Sequence, residues 1–226
     1  HKHWRFFHIR CDLWAERSST LSMNSALHKL SFGAIALFSL LIGLYPSTYF
    51  LVDRKFGLLS SKSDALLVDL FWNIGFYGHI MFGGLALLVG WAQFIKKIRN
   101  KRPVLHRNIG KVYVFSVLIS SICGIYIAHY ATGGLTASLG FILLGLVWFY
   151  TTLNAYLFAR KGDIVRHEKL MIFSFAACFA AVTLRIWLPM LSSIMGGFVP
   201  AYRVVAWLCW VPNLLVAYII VRNKQP

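Results

Sequence analysis

Carboxylates are the scarce class in this 226-residue chain: seven Asp and Glu stand against 23 Lys and Arg, for a formal charge of +16. No paired carboxylates, Ser-His-Asp set or phosphate-cradling glycine loop appears, so neither hydrolysis nor an ATP-driven pump has support. Cysteine is also sparse. Of the four, Cys123, Cys178 and Cys209 fall inside apolar segments and Cys11 stands alone near the start, with no CxxC pair. That spacing excludes a disulfide framework and thiol redox chemistry. Charge of either sign is confined to 13% of the residues.

What the chain has instead is apolar length. Hydrophobic residues make up 58% and mean hydropathy is +0.66, more than a soluble domain of this size can hide. The expected fold class is all-α: a polytopic membrane protein of six transmembrane helices, over roughly 30–52, 66–95, 110–130, 138–159, 170–190 and 204–221. Each is long enough to cross the hydrocarbon at 1.5 Å per residue. LSSIMGGFVPAYR reads as a loop after the fifth. Residues 1–22 lack both a clean apolar period and an h-region, and Met23 reads as the natural start. The leader is therefore set apart from a single six-helix membrane domain over 23–226.

The basic residues lie in the short connections, where they read as topology signals and not as a nucleic-acid surface. With both termini on one side, fourteen Lys and Arg fall on that side and four, Arg54, Lys55, Lys62 and Arg203, on the other. The positive-inside bias puts both termini in the cytoplasm of a bacterial inner membrane.

Helical phase picks out the faces that meet. Gly75, His79, Gly83, Ala86, Gly90 and Gln93 recur at intervals of four and three, as do His106, Gly110, Tyr113, Val117, Gly124 and Ala128, with Ser120 beside them. Gly145, Trp148, Thr152 and Ala155 share a face, and so do His167, Met171, Ser174, Cys178, Ala181 and Arg185. Stripes of small and polar side chains suit close helix contact, so helices two to five should form the central bundle. His106 and His167 each follow a basic loop at the start of an outward-running helix. With a shift of 61 residues also superposing Gly84 on Gly145, a duplicated helical hairpin is indicated.

Taken together, Gly78-His79, Gln93-Phe94, Leu105-His106-Arg107 with Gly110 and Tyr113, Trp148, His167 with Met171, and Arg185 with Leu188-Pro189 resemble a family of bacterial predicted membrane proteins. That family is grouped as a domain of unknown function. The likeness covers about residues 75–190 and departs from the family pattern at Trp91 and Glu168. It implies a membrane bundle and a shared site more than a reaction.

Three chemistries are open to these residues. Intramembrane histidines usually face the bundle interior, and paired imidazoles hold haem in membrane helices. The chain is more loosely similar to di-haem membrane cytochromes and ferric reductases. The first expectation is therefore b-type haem electron transfer, with His106, His167 and His79 binding the cofactor and a quinone or other redox partner. His129 lies on a lipid-facing side of its helix, which leaves His79 without an axial mate. The second is binding of anionic lipid headgroups by Arg107, Lys111, Arg166 and Lys169 at helix starts. The third is small-solute transport, should Asp69, His79 and Arg185 line a watery path. A cytoplasmic-face metal site from His28, His106, His167 and Glu168 matches no known ligand spacing, and no metal is expected. Buried polar positions are expected at Arg185, Gln93, Tyr113, Trp148 and Asp69, with Asp69 the partner of Arg185.

Overall fold

Apolar runs of more than twenty residues can satisfy their backbone in a bilayer only as helices, and six such helices form among the described residues. We label them α1 (Lys29–Leu51), α2 (Leu70–Phe94), α3 (Pro103–Ala128), α4 (Leu135–Arg160), α5 (Ile164–Ile194) and α6 (Phe198–Arg222). The structure is a computed structural model and describes residues 27, 29–52, 55 and 57–223. The leader 1–22, Met23, His28, Arg54 and Lys224 lie outside the described residues. The chain divides into two units at Phe38 and Ser39. The packing and the site below belong to the second, Ser39–Pro226.

Helices α3 to α6 run longer than hydropathy alone indicates, because capping and proline chemistry extend them into the polar connections, whereas α2 starts at Leu70 and not at 66. Pro103 starts α3 at a position whose N–H has no intrahelical partner in any case, so LHR is helical and not loop. Asp163 starts α5 by accepting the backbone N–H of Arg166 at 3.0 Å. The loop expected after the fifth span shrinks to residues 195–197. Pro189 sits inside the helix, the turn is made by Gly196 at φ 71° and Gly197 at φ 154°, and Pro200 is tolerated in the first turn of α6.

Two helices are interrupted at neighbouring levels. α5 breaks between Cys178 and Ala180, and α6 breaks between Leu208 and Val211, just before Pro212. The exposed backbone groups are taken up across the pair: Asn213 Nδ2 donates to the carbonyls of Cys209 at 3.0 Å and Ala176 at 3.2 Å. Thr183 Oγ1 donates to the Cys209 carbonyl.

Helices α2 to α5 supply the most extensive packing, with α2 on α3, α3 on α4, and α4 on the first half of α5. The glycines of the α2 stripe make this possible. A Cβ on Gly75 would lie 2.8 Å from the Tyr126 ring, and one on Gly90 2.8 Å from Tyr113 and 2.9 Å from Phe175. Leu87, Tyr113, Val117, Trp148, Cys178 and Val182 fill the middle of the bundle.

Candidate functional site

Of the three candidate histidines, two hold their rings through Nδ1 against a backbone carbonyl. In the α2 stripe, His79 Nδ1 lies 2.9 Å from the Ser120 carbonyl, while Ser120 Oγ donates to the His79 carbonyl at 2.9 Å. A carbonyl only accepts, so Nδ1 carries the proton and Nε2 keeps the lone pair of a neutral ring. His167 Nδ1 likewise donates to the Ala155 carbonyl at 2.9 Å, and its Nε2 is the acceptor. Gly124 is what lets His79 lie flat on α3, since a Cβ there would be 2.7 Å from Nδ1.

His106 is held the opposite way. The buried Gln93 amide is satisfied at both ends when its Oε1 accepts the Gly110 N–H at 3.3 Å and its nitrogen donates to the His106 carbonyl at 3.2 Å and to His106 Nδ1 at 3.0 Å. His106 Nδ1 is then the acceptor, and the proton sits on Nε2. The imidazoles of His106 and His167 are near enough to interact electrostatically. An axial haem ligand gives iron the lone pair of a neutral imidazole nitrogen. His79 and His167 fit that requirement at Nε2. His106 fits it only with the Gln93 amide turned so that its oxygen accepts from Nδ1. Among the described residues, no three of His, Cys, Asp and Glu gather as a metal ion requires.

The middle of the bundle holds a hydroxyl chain. Tyr113 Oη lies 2.8 Å from Ser174 Oγ, Ser174 Oγ 2.6 Å from Thr152 Oγ1, and Thr152 Oγ1 donates to the Trp148 carbonyl at 2.7 Å. Tyr113 on α3 and Ser174 on α5 stand 61 residues apart in the chain. Trp148 and Cys178 flank Tyr113 and also wall a cavity beyond it.

That cavity, about 680 Å³, lies toward the end of the bundle remote from His106. His79 on α2 and Arg185 on α5 both line it, as do Tyr45, Tyr49, Lys62 and Tyr202, against mostly apolar walls. His79 and Arg185 are near enough to interact electrostatically. Arg185 Nη1 donates to the Ala181 carbonyl one turn back at 2.9 Å, and its guanidinium sits 4.4 Å over the Tyr45 ring. Lys62, in the connection between α1 and α2, donates to Thr132 Oγ1 at 3.0 Å and to the Tyr130 carbonyl, and burial lowers its ammonium pKa.

Asp69, expected as the partner of Arg185 and as a buried group, is instead exposed at the start of α2. There its carboxylate accepts the Trp72 N–H at 2.6 Å. The cause is local: an Asp just ahead of a helix finds an unpaired N–H within reach. Gln93, Tyr113 and Trp148 are buried. Of the basic set, Arg166 pairs with Asp163 at 3.2 Å and lies over the Phe158 ring, while Arg107 donates to the Pro103 carbonyl at 3.3 Å. Arg107 and Lys111 are exposed and Lys169 is half-buried. His129 is exposed and turned onto its own helix, with Nδ1 2.9 Å from the Ile125 carbonyl.

Tyr45, Tyr49, Lys62 and Tyr202 were not legible as site residues. Three are aromatics that hydropathy reads as ordinary membrane residues, and Lys62 reads as a loop charge. Comparison with known proteins gives one result: the family model described as "Predicted membrane protein (DUF2306)" matches residues 76–221. No curated protein and no solved structure matches.

Proposed function

This chain belongs to the family of predicted membrane proteins DUF2306, and we propose that it works inside the bilayer, by binding a small amphiphilic solute in the cavity beside His79, for transport or sensing. The observation that carries this reading is the cavity itself: about 680 Å³, in the range of small-molecule sites, apolar for most of its wall and polar at a few convergent groups. A ligand that binds only the folded chain raises its melting temperature. Purified protein in detergent should therefore be stabilised by medium-chain amphiphiles, neutral ones included, and Leu184→Trp, which fills the lining, should remove the effect. Failure of every amphiphile to shift the melting curve would defeat the proposal.

Haem electron transfer makes a different forecast for the same preparation. A Soret band that survives purification and disappears in His167→Ala would replace the solute reading, with His79 and His167 as the two imidazoles able to ligate. A Gln93→Leu variant would then be expected to improve loading, because it frees His106 Nδ1 to take the proton.

The basic end of the bundle belongs in the cytoplasm on charge grounds, which sets the cavity in the outer half of a bacterial inner membrane. A reporter fused after Pro226 should be active only in the cytoplasm and one inserted at Gly133-Gly134 only outside. The reverse pattern would sink this orientation.

A further inference from the structure

We infer that the cavity selects a singly anionic amphiphile, a carboxylate or phosphodiester on an apolar body, with Arg185 as the group that recognises the anion. This rests on the solute-binding reading above and goes further by naming the ligand class.

Two of the residues lining the cavity, Arg185 and Lys62, carry ordinarily cationic side chains, and among the described residues no Asp or Glu lines it. The ion pairs among the described residues, Lys55 with Asp64, Arg99 with Glu168 and Arg166 with Asp163, include neither. An arginine in a membrane helix is costly unless something offsets it. Here one carbonyl at 2.9 Å and one aromatic face engage a fork that has five N–H donors and is shaped for bidentate binding of carboxylate or phosphate. His79 adds a second polar group in the cavity, its ring fixed at Nδ1 by Ser120. In its neutral form Nε2 accepts; beside an anion it can take a proton and donate. The charge of the lining selects one negative head, and the apolar remainder selects a hydrocarbon or ring body over a free inorganic ion.

The direct test uses the full chain in zwitterionic nanodiscs with a fluorescent polyene fatty acid as probe and its methyl ester as the uncharged control. Saturable binding of the acid is expected, with the ester at least tenfold weaker. Arg185→Gln should weaken the acid at least tenfold and leave the ester unchanged. If Arg185→Gln fails to fold, competition on the wild-type protein decides, octanoate displacing the probe at a concentration at least tenfold below that needed for octanol. Equal binding of acid and ester, or of acid to wild type and Arg185→Gln, overturns the anion inference while leaving solute binding intact. Binding of neither overturns both. Displacement by phosphatidylglycerol but not octanoate identifies the anion as a lipid headgroup, and displacement by octanoate identifies a free acid; either supports the class. Displacement by acetate or inorganic phosphate as effectively as by octanoate overturns the requirement for an apolar body.

Discussion

Gly140→Ala is expected to cost about 3 kcal/mol or more and to remove most of the monodisperse protein recovered after detergent extraction. The added methyl would sit 2.8 Å from the carbonyl oxygen of Ala206 and 3.0 Å from its Cβ. These atoms belong to the backbone of α6 and to the first carbon of a side chain, so no rotamer change relieves the contact and the helices must separate. Overpacking that a side chain can absorb typically costs about 1–3 kcal/mol, and a contact on helix backbone belongs at the upper end. Gly84→Ala should behave alike, since its Cβ would lie 2.7 Å from the Gly43 carbonyl. Gly110→Ala is the control. Its nearest neighbour is the side-chain amide of Gln93 at 3.4 Å, an ordinary contact, and the change from Gly to Ala within a helix is itself favourable by up to about 1 kcal/mol. Thermal unfolding of the three variants in one detergent checks the order, and a Gly140→Ala protein as stable as wild type would show that α4 and α6 do not pack this closely.

The second large effect concerns the buried hydroxyl chain, where the hydrogen bonds have a direction. Each hydroxyl has one proton. Thr152 gives its own to the Trp148 carbonyl, so Ser174 must donate to Thr152 and Tyr113 to Ser174. Ser174→Ala strands the Tyr113 donor and removes the Thr152 acceptor's partner at a position with no solvent exposure. Leaving a buried polar group unpaired costs about 1–3 kcal/mol, and measured interhelical bonds in membranes reach about 1.7 kcal/mol. A loss of about 1–2 kcal/mol is expected. Tyr113→Phe removes only the terminal donor and leaves Ser174 and Thr152 paired, so it should cost less, about 0.5 kcal/mol. Adding it to Ser174→Ala should cost nothing further. Should Tyr113→Phe prove the more damaging single change, the chain runs the other way.

The membrane class, the six spans and the facing stripes were decided by the sequence alone. A bilayer forces each apolar run of about twenty residues to satisfy its own backbone as a helix, and a 3.6-residue period then fixes which side chains share a face. For the same reason Gln93, Tyr113, Trp148 and the α2 glycines could be placed in the interior from their spacing. Helix ends were less legible, because Pro103 and Asp163 extend helices by local chemistry that hydropathy does not weigh. Tertiary structure alone decided the rest. Tyr45 under Arg185, Ser120 on His79 and the cavity between α2 and α5 bring together residues as far as 140 positions apart, and no periodicity within one helix encodes contact between two. The protonation of the inner histidines was decided there too. His106 and His167 look alike in sequence, each following a basic loop, but one nitrogen meets an amide donor and the other a carbonyl, and that difference in a neighbour's hydrogen-bonding sense sets which can offer a lone pair.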